Sequence, residues 1–303
     1  MPSIQSPLGA LPSRFRRQRV LIVGCGDIGL RIARQFAGHI RVLALTSSAE
    51  RLLLLRAAGI VPLLGNLDAP KTLRRLAGVA DRVIHLAPPA IGGCVDRRTR
   101  TLLSALQSRS RPKALVYGST SGVYGDCGGA RVSESRAVNA VTERGQRRVD
   151  AECRLRQWGR ATATATCILR IPGIYAPDRE GGTPRTRLLK GLPVLEAQQD
   201  VFTNHIHADD LARACGLALW RGKPQRVYNI CDNSELKMGD YFDFAADLYG
   251  LPKPPRVTFA QAQTLLSFMQ LSFMGESRRL VNTRMKCELG LKLRYSTVHD
   301  GLV

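Results

Sequence analysis

Val20-Leu21-Ile22-Val23-Gly24-Cys25-Gly26-Asp27-Ile28-Gly29 is the stretch on which the reading of the chain turns. Four apolar β-formers run into a GxGxxG turn, and beyond it Leu30, Ile32, Ala33, Phe36 and Ala37 recur at helical spacing. The motif therefore sits between a strand and a helix, the context in which it has physical meaning. Gly24 makes the tight turn, Gly26 lets backbone approach a pyrophosphate, and Gly29 lets helix and strand pack, while the helix N-terminus offers unpaired N–H donors. Glycine is also the default for any sharp strand-to-helix turn, so a purely structural reading stands beside the dinucleotide one. On the dinucleotide reading the contacting residues here are Gly24, Cys25, Gly26, Asp27, Ile28 and Gly29.

A chain of 303 residues can bury a substantial core and suits one large α/β domain with a smaller appended lobe. No apolar run approaches the roughly 18 residues needed to span a bilayer. The first residues carry arginine and proline but no apolar signal region, so the expected location is cytoplasmic. Eight cysteines are scattered without a CxxC pair, which fits reduced thiols rather than a disulfide frame or a metal site. The net charge of +21, from 45 Lys+Arg against 24 Asp+Glu, raises the question of a nucleic acid. Arginine is spread from end to end, with short clusters at Arg14/Arg16/Arg17/Arg19, Arg97/Arg98/Arg100 and Arg147/Arg148, and no nucleic-acid motif accompanies them. An arginine-rich, solvated surface is the expectation, with basic nucleic-acid association as the outlying alternative.

Residues 1–17 lack periodicity and form an expected flexible basic tail. Strands are expected at 19–23, 41–46, 60–64, 82–86, 113–118 and 163–169, and helices at 49–58, 70–76, 96–107 and 141–158 in addition to the one after the glycine turn. Strands alternating with helices at this rhythm imply right-handed crossovers and a doubly wound parallel sheet, a Rossmann-type α/β fold. After that the texture changes. Residues 204–206 and 226–230 look like short returning strands, and Pro252, Pro254 and Pro255 open a C-terminal helical stretch. The expected organisation is a dinucleotide-binding domain over 18–175 to which 203–234 returns, and a substrate lobe from 176–202 and 235–303.

An NAD site usually ends its second strand in a carboxylate about 20 residues beyond the glycines. No acidic residue occurs between Asp27 and Glu50; the strand ends in Thr46-Ser47-Ser48, with Arg51 following. Hydroxyls and a guanidinium suit a 2′-phosphate, so NADP is preferred to NAD, with Thr46, Ser47 and Arg51 as contacts. Ser47 or Ser48 capping the second helix is the alternative. Asn66 and Leu67 follow the third strand where an adenine edge would lie, unless this is only a turn with Asp68 capping the next helix. Leu86, Ala87 and Pro88 line the sheet's carboxyl edge after the fourth strand, and His85 reads as a core histidine.

The chain resembles the extended short-chain dehydrogenase/reductases, the NAD-dependent epimerase/dehydratase family. The likeness rests on the glycine turn, on Tyr117-Gly118-Ser119-Thr120-Ser121-Gly122-Val123-Tyr124-Gly125, on Leu169-Arg170-Ile171-Pro172-Gly173-Ile174-Tyr175, on residues 204–211, and on Val227-Tyr228-Asn229-Ile230. Glu276-Ser277-Arg278-Arg279 and Asn282 extend it to the atypical YeeZ-like branch. The resemblance implies a Ser or Thr that holds the substrate oxygen, here Thr120, and a YxxxK pair that moves the proton and holds the nicotinamide ribose. This sequence has Arg144 and Arg148 in those two positions. A guanidinium stays charged over the accessible pH range, so Arg144 cannot be the usual acid/base. The two arginines, four apart on a helix, share a face that could clamp a carboxylate or phosphate, or that is simply solvated.

Tyr117, Tyr124 and Tyr175 remain as other phenols, and His205, His207 and Asp209 as a weak metal pattern set against a helix capped by Asp209 or Asp210. Residues 265–274 are expected in the lobe core or a lid, with a partner surface as the alternative. The function expected is that of an oxidoreductase or epimerase-like enzyme on a small polar substrate without the YxxxK pair, or else a non-catalytic NADP-binding sensor. The expected partners are the dinucleotide, that substrate and a second copy of the chain; a membrane is not expected.

Overall fold

The computed structural model describes residues 18–303, so the expected basic tail lies outside the described residues. The first half alternates β1 (Arg19–Val23), α1 (Asp27–Phe36), β2 (Arg41–Thr46), α2 (Arg51–Ala57), β3 (Val61–Leu64), a 3-10 turn (Pro70–Leu76), β4 (Arg82–His85), α3 (Arg97–Leu106), β5 (Ala114–Thr120) and α4 (Glu143–Thr162). With the strands Ala165–Ile171 and Arg226–Asn229 these build one parallel seven-stranded sheet. Its order is Arg226–Asn229, Ala165–Ile171, β5, β4, β1, β2, β3. The direction of winding reverses between β1 and β4, and ligands of such sheets bind outside the carboxyl ends at that switch point.

Alternation within the strands explains why both faces are covered. Val20, Ile22, Val42, Ala44, Ile84 and Val116 pack on the side of α1 and the Ala208–Arg221 helix. Leu21, Val23, Leu43, Leu45, Val83 and Leu115 face the side of α3 and α4. Such two-sided burial is what near-continuous apolar strands require. A third core belongs to the lobe, where Leu188, Val194, Leu195, Met238, Phe242, Ala245, Leu266, Met274 and Val298 meet. The helix Thr283–Leu289 instead sends Met285 and Leu289 into the sheet's own core. Among the described residues no helix is long and apolar enough to cross a membrane.

Several local expectations are corrected. α4 continues to Thr162 through Gly159, where a side chain would come within 2.7 Å of Thr166. That glycine serves close packing rather than helix termination. The C-terminal helical stretch begins at Met238–Tyr249, ahead of the prolines. Neither Ser47 nor Ser48 caps α2, whose start has no side-chain cap, and Asp68 does not cap the following turn. The Ala208–Arg221 helix is capped by His207, whose Nδ1 accepts from the Asp209 N–H. Asp210 is buried and accepts from the Arg294 and Tyr295 N–H groups, which fastens the C-terminal segment to that helix.

Two buried features make the fold sensitive to change. Glu152 of α4 accepts from Arg170 Nε at 3.1 Å and Nη2 at 2.7 Å and from Ser119 Oγ at 2.6 Å. Removing one member of such a pair strands a buried charge, so Glu152→Ala should lower the unfolding free energy by about 3–5 kcal/mol, and Glu152→Leu/Arg170→Met should recover most of it. Urea denaturation checks this; a loss below about 1 kcal/mol in the single variant would contradict it.

The second feature is acid sensitivity. Burial, and then the Arg148 guanidinium, push His85 down to about 3; burial pushes His205 down to about 4. Both rings are neutral in the fold but charged in the unfolded chain below about 6.5, so each removes roughly 1.4 kcal/mol per pH unit as the pH falls from there towards 4. Burial raises Asp232 to about 7, which acts in the opposite sense over the same range. The expected net loss is on the order of 1.4 kcal/mol per pH unit between about pH 6 and 4.5. Urea midpoints that rise on acidification would contradict it.

Candidate active site

The carboxyl edge of the sheet opens into three cavities that share lining residues. The first, about 370 Å³, lies beyond β1, β2 and β3 and contains Gly24, Cys25, Gly26, Thr46, Ser47, Arg51, Asn66, Leu67, Leu86, Ala87 and Pro88. The second, about 340 Å³, adds Asp27, Ile28 and Gly29 and extends to Thr120 and Arg148. Gly24, Gly26 and Leu86 line both. The third, about 460 Å³, lies between the sheet edge and the lobe and shares Thr120, Pro172 and Ile174 with the second. All fourteen residues expected at a dinucleotide thus lie along one groove, which leads to Thr120, Arg144 and Arg148.

The glycines differ in what they do. Gly24 has φ +87°, and a Cβ there would lie 2.4 Å from the Ala87 backbone nitrogen, so the crossing of β1 and β4 itself demands glycine. A Cβ on Gly29 would press on Cys25 Sγ at 3.0 Å, which fits its role in helix packing. Gly26 is different: nothing lies within 4 Å of its Cβ position, and it caps α1 with no side-chain hydrogen bond. The first N–H groups of α1 therefore have no side-chain cap, and Asp27, Ile28 and Gly29 border the second cavity.

Asp27 in that first turn would oppose an anion, but both its oxygens are engaged. Oδ1 accepts from Arg31 Nε at 3.0 Å and Oδ2 from Arg179 Nε at 3.1 Å. Arg31, 6% exposed, also bridges Asp178 and Asp209 at 2.6 Å each. Arg51 Nη2 donates to the Cys25 carbonyl at 2.8 Å, tying the start of α2 to the glycine turn. The Cys25 thiol is pushed up to about 11 by burial, against the opposing pull of Arg51, and stays protonated. Thr46 Oγ1 accepts from the Ser48 N–H, while Ser47 is exposed at the rim. Asn66 both shapes a turn and lines the groove: its Oδ1 accepts from the Asp68 N–H. Asp68 forms a two-pronged pair with Arg98, which holds Asp68 below the usual carboxylate range and sets a guanidinium at the mouth of this cavity.

α4 delivers the other candidates. Arg144, Arg148 and Glu152 follow at four-residue spacing, and with Glu152 anchored under the sheet each earlier turn lies about 6 Å further out. Arg148 Nη1 donates to the Gly118 carbonyl at 2.7 Å and to Tyr117 Oη at 3.0 Å. Arg144 reaches the third cavity and lies 4.7 Å from the Phe273 ring. Thr120 Oγ1 accepts from the Gly122 N–H at 3.3 Å, which leaves its proton for a ligand. The three phenols are held in the packing: Tyr117 under Arg148, Tyr124 donating to Asn229 Oδ1, and Tyr175 to the Thr297 carbonyl. Burial raises all three, Tyr117 to about 12. His85 is fully buried, with Nε2 3.0 Å from Thr99 Oγ1. His205 and His207 are stacked on Tyr241 and Tyr295.

Residues from the far end of the sequence complete the third cavity. The parallel pair Arg131–Val132 with Arg279–Leu280 brings in Glu276 and Arg278, which form an ion pair at 2.8 Å. Arg278 also donates to the Gly125 carbonyl, and Asn204 brackets the segment through Arg278 O and the Leu280 N–H. Arg187, Tyr241 and Phe242 line the lobe side. Of residues 265–274, Leu266 and Met274 are core, Phe273 borders the cavity, and Leu265, Phe268 and Met269 are exposed.

A protein of unknown function from Silicibacter pomeroyi superposes with TM-score 0.78 at 30% identity, covering 94% of this chain and 96% of its own. A dTDP-glucose 4,6-dehydratase from Streptomyces venezuelae, solved with NAD bound, superposes with TM-score 0.76 at 22% identity over 94% of each chain. A 3-diazoavenalumate denitrifying reductase from Streptomyces is 27% identical over 142 residues, so the match spans 46% of either protein. Residues 20–231 match the model of one family, and the protein belongs to it: the NAD dependent epimerase/dehydratase family.

Proposed function

We propose that the protein is an NADP-dependent oxidoreductase of the atypical YeeZ-like kind, acting on a small polar substrate held between the sheet edge and the lobe. The observation that carries this is Gly26: fold packing does not require a glycine there, and its open face adjoins the uncapped N-terminus of α1. The groove offers Asn66 and Leu67 to an adenine, Ser47 and Arg51 to a 2′-phosphate, and the α1 N–H groups with Arg179 to a pyrophosphate. When bound, the nicotinamide supplies or accepts the hydride. Thr120 donates a hydrogen bond to the substrate oxygen, and Arg148 donates to the ribose from its post on Gly118. Arg144 and Arg148 orient and neutralise, and the proton balancing hydride transfer passes to or from solvent through the open third cavity. The match to a reductase supports the oxidoreductase reading over an epimerase. On this account residues 18–175 and 203–234 serve the coenzyme, and 176–202 and 235–303 serve the substrate.

A non-catalytic NADP-binding sensor is the second reading, favoured by the two guanidiniums in the YxxxK positions. NADPH binding without turnover across a broad carbonyl panel would select it; turnover would remove it.

Titrating the protein separately with NADPH and NADH, read by energy transfer from its tryptophans, tests the coenzyme assignment. NADPH should bind about tenfold or more tightly than NADH, and Arg51→Met should abolish most of that difference. Equal affinities in the unmodified protein, or an Arg51→Met variant that weakens both coenzymes alike, would contradict the NADP assignment.

A further inference from the structure

The third cavity holds more positive charge than its own residues balance. Arg144, Arg187 and Arg278 line it against one described carboxylate, Glu276, which is taken by Arg278 at 2.8 Å. Among the described residues Arg187 has no such partner. Its Nη2 reaches only the Pro193 carbonyl at 3.4 Å, and its Nε is buried with no hydrogen-bond partner. Its guanidinium carbon lies 4.5 Å from the Phe242 ring centroid, as that of Arg144 lies 4.7 Å from Phe273. A guanidinium resting on an aromatic face has its plane fixed and its N–H edge directed sideways, the geometry that meets a planar carboxylate with two parallel hydrogen bonds. Leaving such a half-buried charge uncompensated is unfavourable, and an anionic occupant removes the cost.

Much of the wall between the cations is apolar and partly aromatic, with Ile174, Met238, Tyr241, Phe242 and Phe273 beside the polar Ser121, Thr183, Thr203 and Asn204. We infer that the cavity takes a flat, largely apolar carboxylic acid, with Arg187 as the carboxylate anchor and Arg144 beside the reacting end near Thr120. This rests on reading the cavity as the substrate site and adds the chemical class of the substrate. A sugar diphosphate would be served better by backbone N–H donors and polar walls than by this aromatic lining.

The test uses the full chain, free and loaded with NADPH, and follows its thermal unfolding with cinnamate, with the uncharged cinnamyl alcohol, and with UDP. Cinnamate should stabilise the protein saturably, and both other compounds should bind more weakly. Arg187→Met should weaken cinnamate about tenfold or more while the NADPH response is kept, and Arg187→Lys, charged but without the planar fork, should fall between. Should Arg187→Met lose the NADPH response as well, Arg187→Gln decides by the same criterion. Equal binding of cinnamate and cinnamyl alcohol, tighter binding of UDP, or cinnamate affinity unchanged without Arg187 would overturn the inference. The two failures separate cleanly: an NADPH response without a cinnamate response leaves the coenzyme reading standing and removes this one, and the reverse result removes the coenzyme reading alone.

Discussion

The buried ion pair of Glu152 with Arg170 determines where α4 presents Arg144 and Arg148. Arg170, 2% exposed, sits on the strand Ala165–Ile171 with its guanidinium over the Tyr124 ring at 4.6 Å, and Ser119 of β5 closes the group by donating to the same carboxylate. Two neighbouring strands and one helix are thereby locked together just inside the carboxyl edge. Because α4 is rigid, fixing Glu152 fixes Arg148 at the edge and Arg144 beyond it. A buried pair of this kind adds little net stability over an apolar replacement, so its value here is positional.

The same economy explains much of the positive charge. Many arginines are spent on backbone carbonyls: Arg82 on Leu219 and Arg221 on Leu289, and Arg284 on Val227 and Arg279 on Gly129 beside their carboxylate partners Glu134 and Glu235. Each satisfies carbonyls at helix ends or strand edges, where the long apolar stem packs and the head binds. Arg144 and Arg187, which form no ion pair among the described residues, converge on the cavity beside Thr120.

Local pattern made the sheet legible. Apolar runs bounded by glycine and proline located the strands of the sheet within a few residues, and the glycine turn located the first helix. The residues expected at an adenine could be gathered from the sequence because the cavity they line is built from loops immediately after β1, β2, β3 and β4. What escaped was long-range. That Asp27 is neutralised by Arg179, that Arg98 pairs with Asp68, and that Glu276 and Arg278 enter beside Gly125 all depend on residues that no sequence spacing connects. Asp210 was misread for a related reason: an acid at a helix start resembles a cap, but burial turned it towards the backbone of Arg294 and Tyr295. Gly24 and Gly26 look alike in the motif, yet only the fold shows that one is required by a neighbouring strand while nothing in the described chain crowds the other.

That distinction gives the most direct test. Gly26→Ala adds a methyl group to empty space at an ordinary backbone angle, φ −81°. The account predicts an unfolding free energy within about 1 kcal/mol of the unmodified protein together with an NADPH dissociation constant raised about tenfold or more, both measured on one preparation. Unchanged NADPH affinity in a normally folded Gly26→Ala protein would contradict it.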